Sequence, residues 1–165
     1  MEFALVVPIL LLFVIGMIEV AWIMYVQSAM EGALRQAARY GITGQGAADR
    51  DSQILAELSK YTFGSITIDP SKLTKKVYSS FQDVGLPEPY TDANGNGKYD
   101  PGELYTDLNN NGQWDADRGK DGAGNTGEVV RYQFDYTLMP FTGIVQSFIG
   151  GIHLQASTVV KNEPY

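Results

Sequence analysis

Hydrophobic and polar positions along the chain follow three different rhythms. From Phe3 to Val26 there are 24 consecutive residues carrying a single charge, Glu19. As a helix rising 1.5 Å per residue that run spans about 36 Å, enough to cross a bilayer. Pro8 lies inside it, where it removes one helical hydrogen bond, a defect that membrane helices tolerate. The helical pattern continues through "QSAMEGALRQAARYGITG" and ends at Gly41 and Gly44, plausible C-terminal caps. The spacing therefore predicts one helix of about 40 residues, near 60 Å long. Its first part suits lipid. Its second part presents Ala29, Ala33 and Ala37 at every fourth position, a small-residue stripe along which another helix can approach closely. The plainer reading is that these distal turns pack on the protein's own head.

Beyond the long helix the rhythm changes. "ADRDSQILAELSKYTFG" predicts a short amphipathic helix with Asp49 or Asp51 as N-cap, apolar Ile54, Leu55, Leu58 and Tyr61, and Gly64 as a stop. "SITI" and "KLTKKVYSSF" read as strands, the second with Leu73, Val77 and Phe81 on one side, and "GLPEPY" breaks the pattern. "VVRYQFDYTL" alternates Val130, Tyr132, Phe134, Tyr136 and Leu138 with polar residues, the pattern of a half-buried strand. "IHLQASTVV" repeats it with Ile152, Leu154, Ala156, Thr158 and Val160, and "PFTGIVQSFIGG" joins the two as a loop or short amphipathic turn. The expected fold class is α+β: a long N-terminal α-helix packed on a small antiparallel β-sheet head of about four strands. The organisation expected is an assembly helix over residues 1–44 and a β-rich head over 45–165, with an acidic insertion at 91–128.

Composition narrows the chemistry. The 165 residues include no cysteine, which excludes disulfides, thiolate metal sites and cysteine nucleophiles. The single histidine, His153, falls on the polar side of its strand and reads as a solvated side chain. The formal charge of -7, with no dense basic run, argues against nucleic acid as a partner. No nucleophile, base pair or cofactor loop emerges, so an enzyme is the least supported class.

The third rhythm is the stretch "TDANGNGKYDPGELYTDLNNNGQWDADRGKDG". Residues 92–128 hold eight acids against three bases, -5 of the chain's -7. A calcium loop asks for Asp at position 1, Asp or Asn at 3 and 5, Gly at 6, a backbone carbonyl at 7 and Glu at 12. Asp92, Asn94, Asn96, Gly97, Lys98, Asp100 and Glu103 fill positions 1, 3, 5, 6, 7, 9 and 12. A second copy runs through Asp107, Asn109, Asn111, Gly112, Gln113 and Asp115, but Arg118 stands where the closing acid belongs. This second site is either degenerate or closed differently, by Asp117 or Asp121. The two starts are too close for flanking EF-hand helices, so free-standing loops like those of secreted calcium repeats are expected. The competing reading is a disordered, asparagine- and glycine-rich surface segment. Tyr99, Leu104, Tyr105 and Trp114, spaced between the ligands, argue against it. Calcium is favoured over magnesium, because a cage of many protein oxygens suits the larger ion.

"EFALVVPILLLFVIGMIEVAWIMYVQSAMEGALRQAARYG", "KLTKKVYSSF" and "LQASTVVKNEPY" together resemble the TadE-like family, pseudopilins of the tight-adherence (Tad) branch of type IV pili. The resemblance implies a type IV pilin-like fold, with the acidic insertion outside the family pattern. It implies a prepilin whose short basic leader is removed by a prepilin peptidase, with Met1 as the mature N-terminus. It also implies storage in the inner membrane, then extraction by the pilus assembly machinery into an extracellular filament. The family commonly places an acid five residues after the cleavage site, whereas Glu2 is second: either more residues precede Met1, or this subunit registers its neighbours differently. The functional reading of Glu2 is a salt bridge to a neighbour's N-terminal amine, and the plain one an interfacial charge. A carboxylate at the centre of a membrane helix costs roughly 2.5 to 3.5 kcal/mol. Glu19 should therefore face a partner on another subunit, bend toward water or be protonated. The function expected is a structural subunit forming a homopolymer through its N-terminal helix, its head stabilised by calcium. The alternatives are a minor pseudopilin that primes or caps another filament, and a membrane-anchored extracellular calcium-binding module.

Overall fold

The structure is a computed structural model and describes residues 2–42, 47–60 and 66–163. The apolar run and its amphipathic continuation form one uninterrupted helix, α1 (Glu2–Ile42), with Pro8 inside it. Its two halves meet different surroundings. Phe3, Ile9, Leu12 and Phe13 are exposed, whereas Val26, Met30, Ala33, Leu34, Ala37 and Ala38 are buried. The buried set recurs every three or four residues, one stripe of a 3.6-residue helix, and it packs against α2 (Ala47–Lys60). From α2 come Ile54 and Leu58, both fully buried, and Glu57, which is buried but paired with Lys60 at 2.6 Å. Asp49 and Asp51 lie inside α2 rather than at its cap. The side chain of Asp49 falls outside the described ones, and Tyr61, Gly64 and Gly44 fall outside the described residues.

Four strands form an antiparallel sheet in the order β2-β1-β3-β4, with β1 at Leu73–Tyr78, β2 at Lys120–Asp121, β3 at Val129–Leu138 and β4 at Ile152–Lys161. The alternation in β3 is realised residue by residue: Val130, Tyr132, Phe134, Tyr136 and Leu138 are buried and their neighbours half-buried, except that Val129 is buried as well. In β4 the even-numbered residues turn inward, Ala156 completely. The "SITI" stretch departs from expectation: Ile66 lies in a bend and Thr67 and Ile68 in irregular chain, while Ser65 is outside the described residues. Its place as a strand is taken by β2, a two-residue strand from the acidic insertion that pairs antiparallel with β1 through Lys76 with Asp121 and Val77 with Lys120. β1 stops at Tyr78 and Phe81 sits exposed in a 3-10 turn, Phe81–Asp83. Leu73 and Val77, four residues apart, do share one side of β1, as a period of two requires, but the strand ends before it reaches Phe81.

Contacts divide the chain into two compact units. The first combines residues 1–74 with 132–158, and its core is built from α1, α2 and the inward residues of β3. The β3–β4 connection carries a seven-residue helix, α3 (Gly143–Ile149), none of whose residues is buried. The second unit comprises residues 75–131 and 159–165 and contains the whole acidic insertion.

Candidate functional site

The acidic insertion folds as two copies of one loop. In the first, Asp92 Oδ1 accepts the N–H groups of Gly95 (2.7 Å) and Asn96 (3.2 Å), and its Oδ2 that of Gly97 (2.8 Å). Asn94 Oδ1 then accepts from Asn96 N–H, and Asn96 Oδ1 from Lys98 N–H. The second loop repeats this atom for atom. Asp107 accepts from Asn110, Asn111 and Gly112, Asn109 from Asn111 N–H, and Asn111 from Gln113 N–H. Such curling needs left-handed backbone at the sixth position, where Gly97 and Gly112 have φ of 76° and 78°. At the fourth position Gly95 in one loop is matched by Asn110 in the other, at φ 62°, one of the few side chains that tolerates this region.

Each loop is closed by a glutamate, but from opposite directions in the chain. Glu103 Oε1 accepts from Ala93 N–H (2.8 Å) and Oε2 from Asp100 N–H (3.0 Å). In the second loop the equivalent donors, Leu108 N–H (2.7 Å) and Asp115 N–H (3.1 Å), are taken by Glu88, which precedes the loop. Glu88 is fully buried. It is held there because the segment 86–88 runs beside 115–118, with Glu88 N–H donating to Asp115 O and Arg118 N–H to Leu86 O, both at 2.9 Å.

The acids expected to close the second loop are engaged elsewhere. Asp117 accepts the Tyr78 hydroxyl (2.9 Å) and the Gly119 N–H and pairs with Arg131. Asp121 pairs with Lys76 at 3.3 Å on an exposed edge. Arg118, in the twelfth position, turns away to Asp83 and the carbonyl of Pro87. Sequence reasoning missed Glu88 because it sought a ligand downstream. A signal was present in "LPEPY": an acid between two prolines is held extended, its side chain projecting from a stiff backbone.

Aromatic rings tie the two loops together. Tyr99 and Trp114 occupy the same eighth position in their loops and stack at 4.5 Å, with Tyr90 edge-on to both and Tyr105 edge-on to Tyr99. The Trp114 indole donates to Glu88 O at 2.9 Å, and Tyr90 bridges Tyr105 across the neck of the first loop. Leu104 takes no part and is 79% exposed.

Inside each loop the inward groups are mixed. The amide nitrogens of Asn94 and Asn96 both donate to Asp100 Oδ2, and those of Asn109 and Asn111 to Asp115 Oδ2. Among the described residues no group of three His, Asp or Glu stands ready to hold a metal. A hard cation would meet an oxygen shell only after the paired asparagine amides turned over to present Oδ1. Asp92 is held below the ordinary carboxylate range, chiefly by the Gly97 N–H, so it carries its charge at neutral pH.

Of the residues expected to serve assembly, Glu2, Glu19, Ala29, Ala33 and Ala37 lie on α1. Met1 and the side chain of Glu2 fall outside what the structure describes. Ala33 and Ala37 are buried within the chain and Ala29 is half-exposed, so the distal stripe covers the protein's own core. Glu19 finds its partner at home: its carboxylate, 5% exposed, accepts the N–H groups of Phe141 (2.9 Å) and Thr142 (2.6 Å) and the Thr142 hydroxyl. Thr142 is the N-cap of α3, so a carboxylate expected to need a neighbouring subunit is satisfied by a loop of its own chain. His153 is exposed and meets Thr137 at 3.0 Å, as a solvated strand residue would.

The span Val6–Arg39 is long and apolar enough to cross a membrane, and its most apolar part is almost wholly unburied. Residues 1–39 match the family model described as TadE-like protein. The match covers nearly all of α1. The stretches at 72–81 and 154–165, which also carried the resemblance, lie outside it. No curated protein and no solved structure matches the chain. The TadE-like helix and its apolar surface fit a Tad pilus-related, membrane-anchored protein.

Proposed function

We propose that the chain is a structural pilin-like subunit that polymerises through α1 into an extracellular Tad-type filament. The observation that carries this reading is the division of the TadE-like helix into a half that is apolar and bare and a half that is buried in its own head. A bare apolar helix must be covered: by lipid in the inner membrane before assembly, and by the same helix of neighbouring subunits afterwards. Prepilin peptidase and the pilus assembly machinery are the partners this life cycle requires. In the filament Glu2 neutralises a neighbour's N-terminal amine. No residue is assigned a catalytic role.

Calcium belongs to the same reading as a stabiliser of the head outside the cell. Asp92, Asn94, Asn96, Asp100, Glu103 and the Lys98 carbonyl would hold one ion. Asp107, Asn109, Asn111, Asp115, the Gln113 carbonyl and Glu88 would hold another, with Asp117 and Asp121 left to their structural partners. The ion would supply a central positive charge to which these oxygens turn. Extracellular modules bind calcium at roughly 10⁻⁴ to 10⁻³ M, so the loops would fill after export.

Negative-stain microscopy of the purified chain tests the polymer. Regular filaments made of this chain alone, lost on Glu2→Ala, are the expected result. Monomers under all conditions reject it and leave a minor priming subunit or a membrane-anchored calcium module.

A further inference from the structure

The β3–β4 connection, Met139 to Gly151, contains no charged residue, and the seven residues of α3 within it leave nothing buried. Ile144, Phe148 and Ile149 are 55%, 85% and 57% exposed and lie on one face, as does Val145, while Gln146 and Ser147 occupy the other. A water-facing loop gains nothing from such a face, and its exposure is costly. The position of the loop says what covers it. Glu19 binds the backbone of Phe141 and Thr142, and the Phe141 ring packs on Trp22 at 5.5 Å, so α3 is fixed beside residues 19–22 of α1. The exposed apolar surface of α1 runs from Phe3 to Tyr25, a rise of about 33 Å, close to the hydrocarbon thickness of a bilayer. Residues 19–25 therefore lie at its head-side end. There Trp22 stacks with Tyr25 at 6.0 Å, the residue types that gather at membrane interfaces.

We propose that the β3–β4 connection is a second lipid-contacting element, its apolar face seated in the head-side leaflet next to α1. The proposal rests on the membrane stage of the reading above. α3 is a short interfacial helix that lies in the membrane plane, polar edge outward, and its apolar face continues the lipid-facing surface of α1 without a break. Glu19 is the tether. Placed near the interface rather than at mid-bilayer, it holds the loop at that depth with backbone hydrogen bonds.

Because the chain has no cysteine, single-cysteine variants carrying a nitroxide report each site separately. Phe148→Cys, Phe13→Cys and Leu104→Cys replace exposed side chains, at 85%, 66% and 79% exposure, so the fold is preserved. The labelled full-length chains are reconstituted in phosphatidylethanolamine and phosphatidylglycerol vesicles, and collision with oxygen is compared with collision with a water-soluble nickel chelate. The expected result is a several-fold excess of oxygen over nickel at positions 148 and 13 and the reverse at 104. Nickel dominance at 148 with oxygen dominance at 13 overturns this inference alone. Nickel dominance at both overturns the membrane stage, and the inference with it. Exclusion of both reagents at 148 means protein contact and also overturns it.

Discussion

Glu88 closes the second loop on Asp115: its Oε2 accepts the Asp115 N–H at 3.1 Å, the same bond that Glu103 makes to Asp100 in the first loop at 3.0 Å. Two glutamates thus perform one task, Glu103 from the C-terminal side of its loop and Glu88 from the N-terminal side of the other. The Glu88 carboxylate is fully buried and also receives the Leu108 and Asn109 N–H groups, so three backbone donors depend on it.

Glu88→Ala should destabilise the head by roughly 3 kcal/mol, since buried donors lose a charged acceptor and a void replaces the side chain. Glu88→Gln keeps one carbonyl oxygen and should cost less. Urea denaturation followed by Trp114 fluorescence in a Trp22→Phe background measures both. An unchanged midpoint for Glu88→Ala would show that the loop does not depend on this residue.

Calcium should raise the melting temperature of the wild-type chain, and EDTA should lower it. At about a hundredfold excess over Kd one bound ion adds about 2.7 kcal/mol. Because Trp114 stacks on Tyr99 between the loops, its emission should change as they fill. Calorimetry should count two ions in the wild type and one in either Glu103→Gln or Glu88→Gln. Melting and emission indifferent to both calcium and EDTA reject the metal.

The extent of legibility follows the range of the forces involved. α1, α2 and β3 were readable because their apolar periods are local, and both loops because their Asx turns need only neighbours up to five residues apart. What escaped is long-range. β2 pairs two residues of the insertion with β1, a contact with no periodic signature. Glu88 lies 27 residues from Asp115, and Glu19 lies 123 from Thr142, brought together by packing alone. The alanine stripe was visible, but whether a neighbour or the head covers it depends on volumes that spacing does not record.

Glu19→Ala should free α3. The Phe141 and Thr142 N–H groups and the Thr142 hydroxyl lose their acceptor, and the N-cap residue of α3 loses its anchor on α1, a loss of about 2 kcal/mol. Hydrogen exchange at residues 141 and 142 should accelerate in detergent micelles while exchange in β3 stays slow. Glu19→Gln, which retains an acceptor oxygen, should lie between. Equal protection at 141 and 142 in wild type and Glu19→Ala would remove the tether.

Alkaline pH should weaken the second unit through Tyr78. Burial, aided by the hydrogen bond to Asp117, pushes its hydroxyl up to about 12, against about 10 in an unfolded chain. Between those values the unfolded state has released a proton that the native state still holds, so stability falls as pH rises. The Tyr78 contribution is complete below pH 10 and is lost as pH passes through about 12. Tyr136, also raised to about 12 by burial, produces a similar decline, but it is present in a Tyr78→Phe variant too and cancels in the comparison. Tyr78→Phe forfeits the Asp117 bond and should be the less stable chain at neutral pH, with a gap that closes above pH 10. Urea midpoints of the two proteins across that range decide the matter: a gap that stays constant to pH 12 would mean that Tyr78 ionises as freely in the folded protein as in the unfolded one.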